Sequence, residues 1–286
     1  MTPAPLLITG SSGRLGRALQ RVGTGGWPVV GMVSPRASGA GRALDITDAA
    51  ATLEAIGEIR PRVIVHLASV VGAACEEDPE RAEAVNVTGT ANLVAAAEAH
   101  SVERIVFVST AGVYGDSRRR RVSEQDEPAP TGVYATTKLR AEQVLADAAG
   151  SVSADVLRVF NIYGPEMQDS LVTRLLTATA AAPVRLNGLD GFVRDYVHVD
   201  DVARAVLAAA DSTAPGFRVL NVGSGVPRSN RDLLDSLPVQ AGASVTIGPE
   251  VDSYSCADIT AITRELSWRP IETWPPVPSA PPSLRF

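Results

Sequence analysis

Short β-branched runs alternate along the chain with longer stretches of helical period. Residues 5–9, Pro-Leu-Leu-Ile-Thr, predict a strand. Residues 14–22 carry Leu15, Ala18, Leu19 and Val22 on one face and predict a helix. A second strand is predicted over 29–33 and a helix over 48–57, with Asp48 placed to cap it. Residues 62–68 form a continuous apolar run, the pattern of a strand covered on both faces. A long Ala-rich helix over 79–100, a buried strand over 105–109, a helix over 133–149 and a strand over 155–160 follow. This alternation predicts right-handed βαβ units, hence an α/β, doubly wound parallel sheet with helices on both faces. Beyond residue 165 the pattern thins to helices over 170–181 and 202–211 and short strands over 219–222 and 245–247. Six prolines between positions 270 and 282 exclude a helix or central strand there and predict a tail that is packed on the surface or disordered.

Composition narrows the class. At roughly 150 residues per domain, 286 residues allow one large domain or two unequal ones. A formal charge of -6 argues against a nucleic-acid binder, which needs a basic face. Two cysteines, Cys75 and Cys256, are too few for a disulfide framework. No uninterrupted apolar run reaches the roughly 18 residues of a membrane span. A strand beginning by Pro5 leaves no room for a signal peptide, so a cytoplasmic protein is expected. The three histidines and two cysteines form no metal-ligand cluster. His100 is expected to be exposed, His66 to be a buried polar support, and Arg118 to Arg121 to be a solvated run.

Three motifs carry chemistry. The first, Thr9-Gly-Ser-Ser-Gly-Arg-Leu-Gly16, joins the first strand to the first helix. There Gly10 allows a sharp turn, Gly13 a close approach to a pyrophosphate, and Gly16 tight helix–strand packing. The helix start offers free N–H groups to phosphate. The second, Tyr134-Ala-Thr-Thr-Lys138, puts a phenol and an ammonium on one helix face. A neighbouring cation favours phenolate, and a downward shift of about three pKa units would poise Tyr134 as an acid/base near pH 7. The third ends a strand with Ser109 and Thr110, hydroxyls at the carboxyl edge where parallel sheets bind ligands.

In this order the motifs resemble the short-chain dehydrogenase/reductase superfamily, in its extended branch of nucleotide-sugar epimerases, dehydratases and ketoreductases. The segments Val63-Ile-Val-His-Leu-Ala68, Asn86-Val-Thr-Gly-Thr90, Leu157-Arg-Val-Phe-Asn-Ile-Tyr-Gly-Pro165 and Arg194-Asp-Tyr-Val-His-Val-Asp-Asp201 extend the match over about residues 5–270. The resemblance implies a Rossmann-type NAD(P)-binding domain over 1–165. Residues 166–286 would be mainly a small substrate-binding region, with some segments returning to the first domain. It makes Tyr134 the catalytic acid/base, Lys138 its partner and a cofactor ligand, and Thr110, with Ser109 beside it, the substrate's hydroxyl partner. Cofactor contacts fall on Gly10, Ser12, Gly13, Arg14, Leu15, Gly16, Asp45, Ile46, Leu67, Ala68, Asn86 and Phe160, and substrate contacts on Asn161 and Arg194. A homodimer through the helices near 80–100 and 133–149 is the family expectation.

Two departures matter. NAD-preferring members carry an acid after the second strand, which binds the ribose 2′-hydroxyl. Here that strand runs into Ser34-Pro-Arg36, so Ser34 and Arg36, with Arg14 assisting, would receive a 2′-phosphate. NADP(H) is therefore the expected cofactor, with NAD(H) the other possibility. Further on, nucleotide-sugar enzymes carry a second arginine in the segment that here reads Pro249-Glu-Val-Asp-Ser-Tyr-Ser-Cys-Ala-Asp258, which has none. A nucleotide diphosphate would then be held by Arg194 alone, and weakly. Without a diphosphate to bind, Arg194 would fall to an ion pair with Asp195 or Asp200. The expected activity is interconversion of a ketone and a secondary alcohol, by a ketoreductase or epimerase acting on a nucleotide sugar. An NADPH-dependent ketoreductase of a non-nucleotide ketone and a non-catalytic dinucleotide sensor are the alternatives.

Overall fold

The computed structural model describes residues 4–37, 39–239, 244–272 and 274–275. Strand β1 (Leu6–Thr9) runs into helix α1 (Arg14–Val22), then β2 (Val29–Val33), β3 (Arg42–Ala43) and α2 (Ala49–Ile59). Asp48 caps α2, its carboxylate accepting from the Ala51 N–H at 3.0 Å. Strand β4 (Val63–His66) leads to two short helices, α3 (Ala73–Glu77) and α4 (Pro79–Glu83). The helix expected over 79–100 is interrupted: Ala84–Thr88 is a π turn, and α5 (Gly89–Ala99) resumes after it. Strand β5 (Arg104–Thr110), helix α6 (Gly132–Asp147) and strand β6 (Ser153–Val159) complete the first half.

The second half mixes short pieces: β7 (Asn161–Tyr163), α7 (Leu171–Leu176), β8 (Val184–Leu186), β9 (Phe192–His198) and α8 (Val199–Ala210). Then come β10 (Phe217–Val222), β11 (Pro227–Ser229), α9 (Asn230–Ser236), β12 (Val245–Ile247), β13 (Ser253–Ser255) and α10 (Thr260–Leu266). Of the predicted proline-rich tail, residues 276–286 lie outside the described residues.

The central sheet has seven strands in the order β10-β6-β5-β4-β1-β2-β3, each pair parallel. Side-chain alternation feeds two cores. Leu6, Ile8, Val63 and Val65 join the core under α1 and α8, while Leu7 and Ile64 join the core under α2, α5 and α6. The order reverses between β1 and β4, and ligands of such sheets bind in the crevice at that reversal. A second sheet is built on β9, flanked by β11, β13 and β7. It stands over the carboxyl ends of the first sheet and forms the far wall of the crevice, because β7 follows directly from β6.

Candidate active site

At the switch point β1 ends in Gly10, whose φ of +67° suits glycine; a Cβ there would stand 2.8 Å from the Ala68 nitrogen. Gly16 lies so close to the preceding turn that a Cβ would meet the Ser11 carbonyl oxygen at 2.2 Å. The turn encloses a cavity of about 240 Å³ lined by Gly10, Ser12, Gly13, Ser34, Asp45, Ile46, Leu67 and Ala68. A dinucleotide fits this cradle: glycine backbone at a helix start for the pyrophosphate, and apolar walls for the adenine. Leu15 is half-buried against the α1 core. His66 braces the cradle from below, its ring nitrogens 2.8 Å from the Thr9 hydroxyl and 3.0 Å from the Thr90 hydroxyl. Burial pulls its pKa down to about 3, so the ring is neutral. The Thr9 hydroxyl in turn accepts from the Leu67 and Ala68 N–H groups.

Asn86 stands in the π turn, buried, and ties the β4 loop to α6. Its Oδ1 accepts from the Val70 N–H and the Ser69 hydroxyl, and its Nδ2 donates to the Val70 carbonyl and Thr137 Oγ1. The amide does not itself line the cradle; it braces the loop whose Ser69 and Val70 do.

Arg14 departs from expectation. It pairs with Asp169, just ahead of α7, and so bridges the glycine turn to the opposite wall rather than pointing toward Ser34. Arg36 is exposed at the rim, where its charge helps hold the Asp45 carboxyl below its usual range, after the hydrogen bonds from Thr47. His100 is half-buried against Gly57 rather than exposed. In the run 118–121, Arg118 donates to the Tyr114 and Glu127 carbonyls, while Arg119 and Arg120 pair with Asp252 and Asp126.

Beyond the cradle lies a chamber of about 290 Å³. Thr110, Asp116, Tyr134, Phe160, Asn161, Arg194 and Ser255 are among its walls. Ser109 is not. Successive strand residues face opposite ways, and Ser109 is buried with its hydroxyl donating to Glu142 on α6. Glu142 also receives Arg158 through two nitrogens, so Ser109 belongs to a buried polar network behind the chamber. Thr110 takes the crevice side, its Oγ1 accepting from the Gly112 N–H at 3.1 Å.

Tyr134 and Lys138 share a face of α6, but the phenol moves opposite to the expected direction. Burial pushes the Tyr134 hydroxyl up to about 12, with the nearby Cys75 thiol adding to the rise. Lys138 is buried with Nζ 3.9 Å above the Phe107 ring, and burial pulls it down to about 7 against the pull of Glu142. A lysine half discharged by its own burial provides little field to lower a phenol.

Arg194 pairs with neither Asp195 nor Asp200. Its guanidinium lies 3.8 Å over the Phe192 ring and donates to Ser253 Oγ at 2.6 Å and Asp116 at 3.3 Å. Asp200 is taken by Arg21. Asp195 is fully buried and accepts from the Ser224 hydroxyl and the N–H groups of Ser224, Gly225 and Ala257.

Arg194 and Asn161 also wall a second cavity, of about 330 Å³, with Arg174, Arg185, Asn187, Tyr196 and Asn230. Arg174 and Arg185, not singled out from the sequence, join Arg194 in the wall, so three guanidinium groups line this cavity. The alternation Val184-Arg185-Leu186, buried-exposed-buried, was the available signal for the second of them.

Among the described residues, one cluster has metal-ligand chemistry: His198, Asp200 and Glu272. Two of its three members are committed, Asp200 to Arg21 and Glu272 to Arg204. No helix among the described residues is long and apolar enough to cross a membrane.

The family model described as the NAD dependent epimerase/dehydratase family matches residues 6–223. The UDP-glucose 4-epimerase of Mycolicibacterium smegmatis is 32% identical over 262 residues, covering 83% of this chain and 82% of that one. The crystal structure of UDP-glucose 4-epimerase from Brucella ovis in complex with NAD superposes with a TM-score of 0.84 at 25% identity, over 95% and 94% of the two chains. MoeE5 in complex with UDP-glucuronic acid and NAD gives a TM-score of 0.82 at 26% identity, over 94% of each. With the glycine cradle, the Tyr134–Lys138 helix and most of its length thus matched, the chain belongs to the NAD dependent epimerase/dehydratase family and is an enzyme of the short-chain dehydrogenase/reductase type.

Proposed function

We propose that the enzyme interconverts a secondary alcohol and a ketone on the sugar of a nucleotide diphosphate sugar, with a nicotinamide dinucleotide as cofactor. The carrying observation is that Asn161 and Arg194 wall both the Thr110/Tyr134 chamber and the cavity of Arg174 and Arg185. The first suits a sugar ring. The second offers guanidinium groups to a diphosphate, with Phe192 and Tyr196 adding aromatic side chains to its wall. The names of UDP-glucose 4-epimerase and of the UDP-glucuronic acid complex support the same substrate class.

The bound nicotinamide supplies hydride exchange with carbon. The chain's own groups handle the proton and the geometry. At neutral pH Tyr134 Oη carries its proton, ready to donate to a ketone oxygen; in reverse it takes the alcohol proton. Thr110 Oγ1 hydrogen-bonds the same oxygen and sets its angle. Lys138, one turn along the same helix face, would in its charged form steady the phenolate. Phe160 and Ala135 line the chamber and limit water.

Binding of UDP and dTDP, measured by calorimetry, tests the substrate class. The native enzyme is expected to bind both. Arg194→Ala should weaken each by about tenfold or more, without abolishing binding, because Arg174 and Arg185 remain. Native protein that binds neither at millimolar concentration would leave the reductase of a free ketone as the reading.

The proposed cofactor preference is NADP(H). Ser34 lines the adenine end of the cradle, Arg36 stands exposed beside it, and no acid ends β2. Arg36→Ala is expected to cost NADPH about tenfold in affinity and to leave NADH unchanged. Equal losses for both cofactors, read by fluorescence titration, would remove Arg36 from that role.

A further inference from the structure

Of the chain's 26 basic residues a single one, Lys138, is a lysine; the others are arginines. An arginine keeps its charge wherever it is placed, whereas a lysine buried without an anion gives up its proton. The chain's only side-chain ammonium therefore sits one helical turn from Tyr134, just 2% exposed.

Among the described residues, its surroundings hold one anion. Strand β5 turns Phe107 and Ser109 toward α6, two positions apart on the same face. Lys138 Nζ lies 3.9 Å over the Phe107 ring. Glu142, one turn further along α6 and 3% exposed, accepts from the Ser109 hydroxyl. Arg158 on β6 donates to Glu142 through Nε at 3.1 Å and Nη2 at 2.6 Å. The other titratable groups around Lys138 are uncharged. His66 on β4 packs on the same Phe107 ring and is neutral, burial keeps the Cys75 thiol of α3 protonated, and Tyr134 holds its proton. On α4, Glu83 is taken by Arg140 at the exposed side of α6. Glu142 is thus the charge that opposes the discharge of Lys138 by burial. Its ion pair is with Arg158 and not with Lys138. Ser109 and Arg158 keep the carboxylate one turn from the ammonium without letting it draw Nζ away from Tyr134.

From this we infer that Glu142 is a positioning residue for catalysis: held by Ser109 and Arg158, it supplies the counter-charge that lets Lys138 keep a proton in its buried place beside Tyr134. The inference rests on the roles given above to Tyr134 and Lys138.

The test is carbon NMR on the full chain grown with lysine labelled at Cε, which yields one side-chain resonance to follow against pH. The native midpoint is expected at about 7. Glu142→Gln should lower it by about one pH unit or more, and Arg158→Gln should raise it by about one. Both substitutions break the same buried pair, so a merely structural role would move Lys138 the same way in each. The double variant Glu142→Gln/Arg158→Gln strands no buried charge, serves where a single variant does not fold, and should still titrate below native. A midpoint left at the native value in Glu142→Gln or in the double variant overturns the inference while the Tyr134 and Lys138 roles stand. Single-variant shifts of the same sign also overturn it. NADPH affinity, read by fluorescence over the same range, is expected to fall about tenfold as Lys138 discharges, at each protein's own midpoint. A resonance midpoint that moves while the NADPH curve stays in place removes Lys138 from the cofactor and overturns the role on which the inference rests.

Discussion

Tyr134→Phe is expected to lower turnover by about 100- to 10,000-fold while leaving cofactor affinity within about twofold of native. The ring stays in its half-buried place on α6, so packing against Val70 and Cys75 survives. Only the hydroxyl that carries the proton is lost. The effect should appear in kcat and in kcat/KM alike, as for a group that acts in the transition state. Burial of the free phenol adds a pH signature. With Tyr134 held near 12 and Lys138 near 7, charging of Lys138, not ionisation of the phenol, is expected to set the low-pH to neutral behaviour of the cofactor-free protein. A Phe variant that retains more than about a tenth of native turnover on the true substrate would move the proton to another donor, such as Thr110.

Asp195→Ala is expected to destabilise the fold by about 3–5 kcal/mol, because it strands buried N–H groups that each cost about 1–3 kcal/mol without a partner. Asp195 has no exposed surface and gathers the N–H groups of Ser224, Gly225 and Ala257. Its carboxylate is what holds β9 against the turn after β10 and the segment after β13. For a chain of this size the loss corresponds to roughly 6–15 °C in Tm. Thermal unfolding read by circular dichroism measures it, and a shift below about 2 °C would mean that the turn finds other partners. Asp195→Asn keeps one acceptor oxygen and should fall between.

These two residues also mark what the sequence makes legible. The Tyr134–Lys138 pairing on one helix face needs only the period of α6 and was readable in advance. The sign of the phenol's shift was not, because it depends on how deeply Lys138 is buried over Phe107, a contact between residues 31 positions apart in sequence. Strands buried on both faces, such as β4 and β5, announce themselves as apolar runs. By contrast β9 carries Arg194, Asp195 and His198 within seven residues, and its partners β11 and β13 are three residues each. Pieces so short have no readable period, and their pairing is set by tertiary contacts. Alternation says that Ser109 and Thr110 face opposite sides, yet only the position of Glu142 tells which one meets the crevice. Ser253 gives a similar lesson. Sequence shows that an arginine is missing from its segment, but not that Ser253 accepts a hydrogen bond from Arg194.

The order of the central sheet has a consequence for how the chain matures. β10 is the edge strand beside β6, yet it is synthesised some 60 residues later. α8, which packs on α1 and roofs one of the two cores, also follows every strand from β1 to β9. A nascent chain that has emerged only through β6 therefore carries an unpaired parallel edge and an uncovered apolar face at the same time. Both invite pairing with other chains. Folding of the cofactor cradle is thus bound to the arrival of residues 199–222, and the interval before they arrive is the protein's exposure to aggregation and to chaperones.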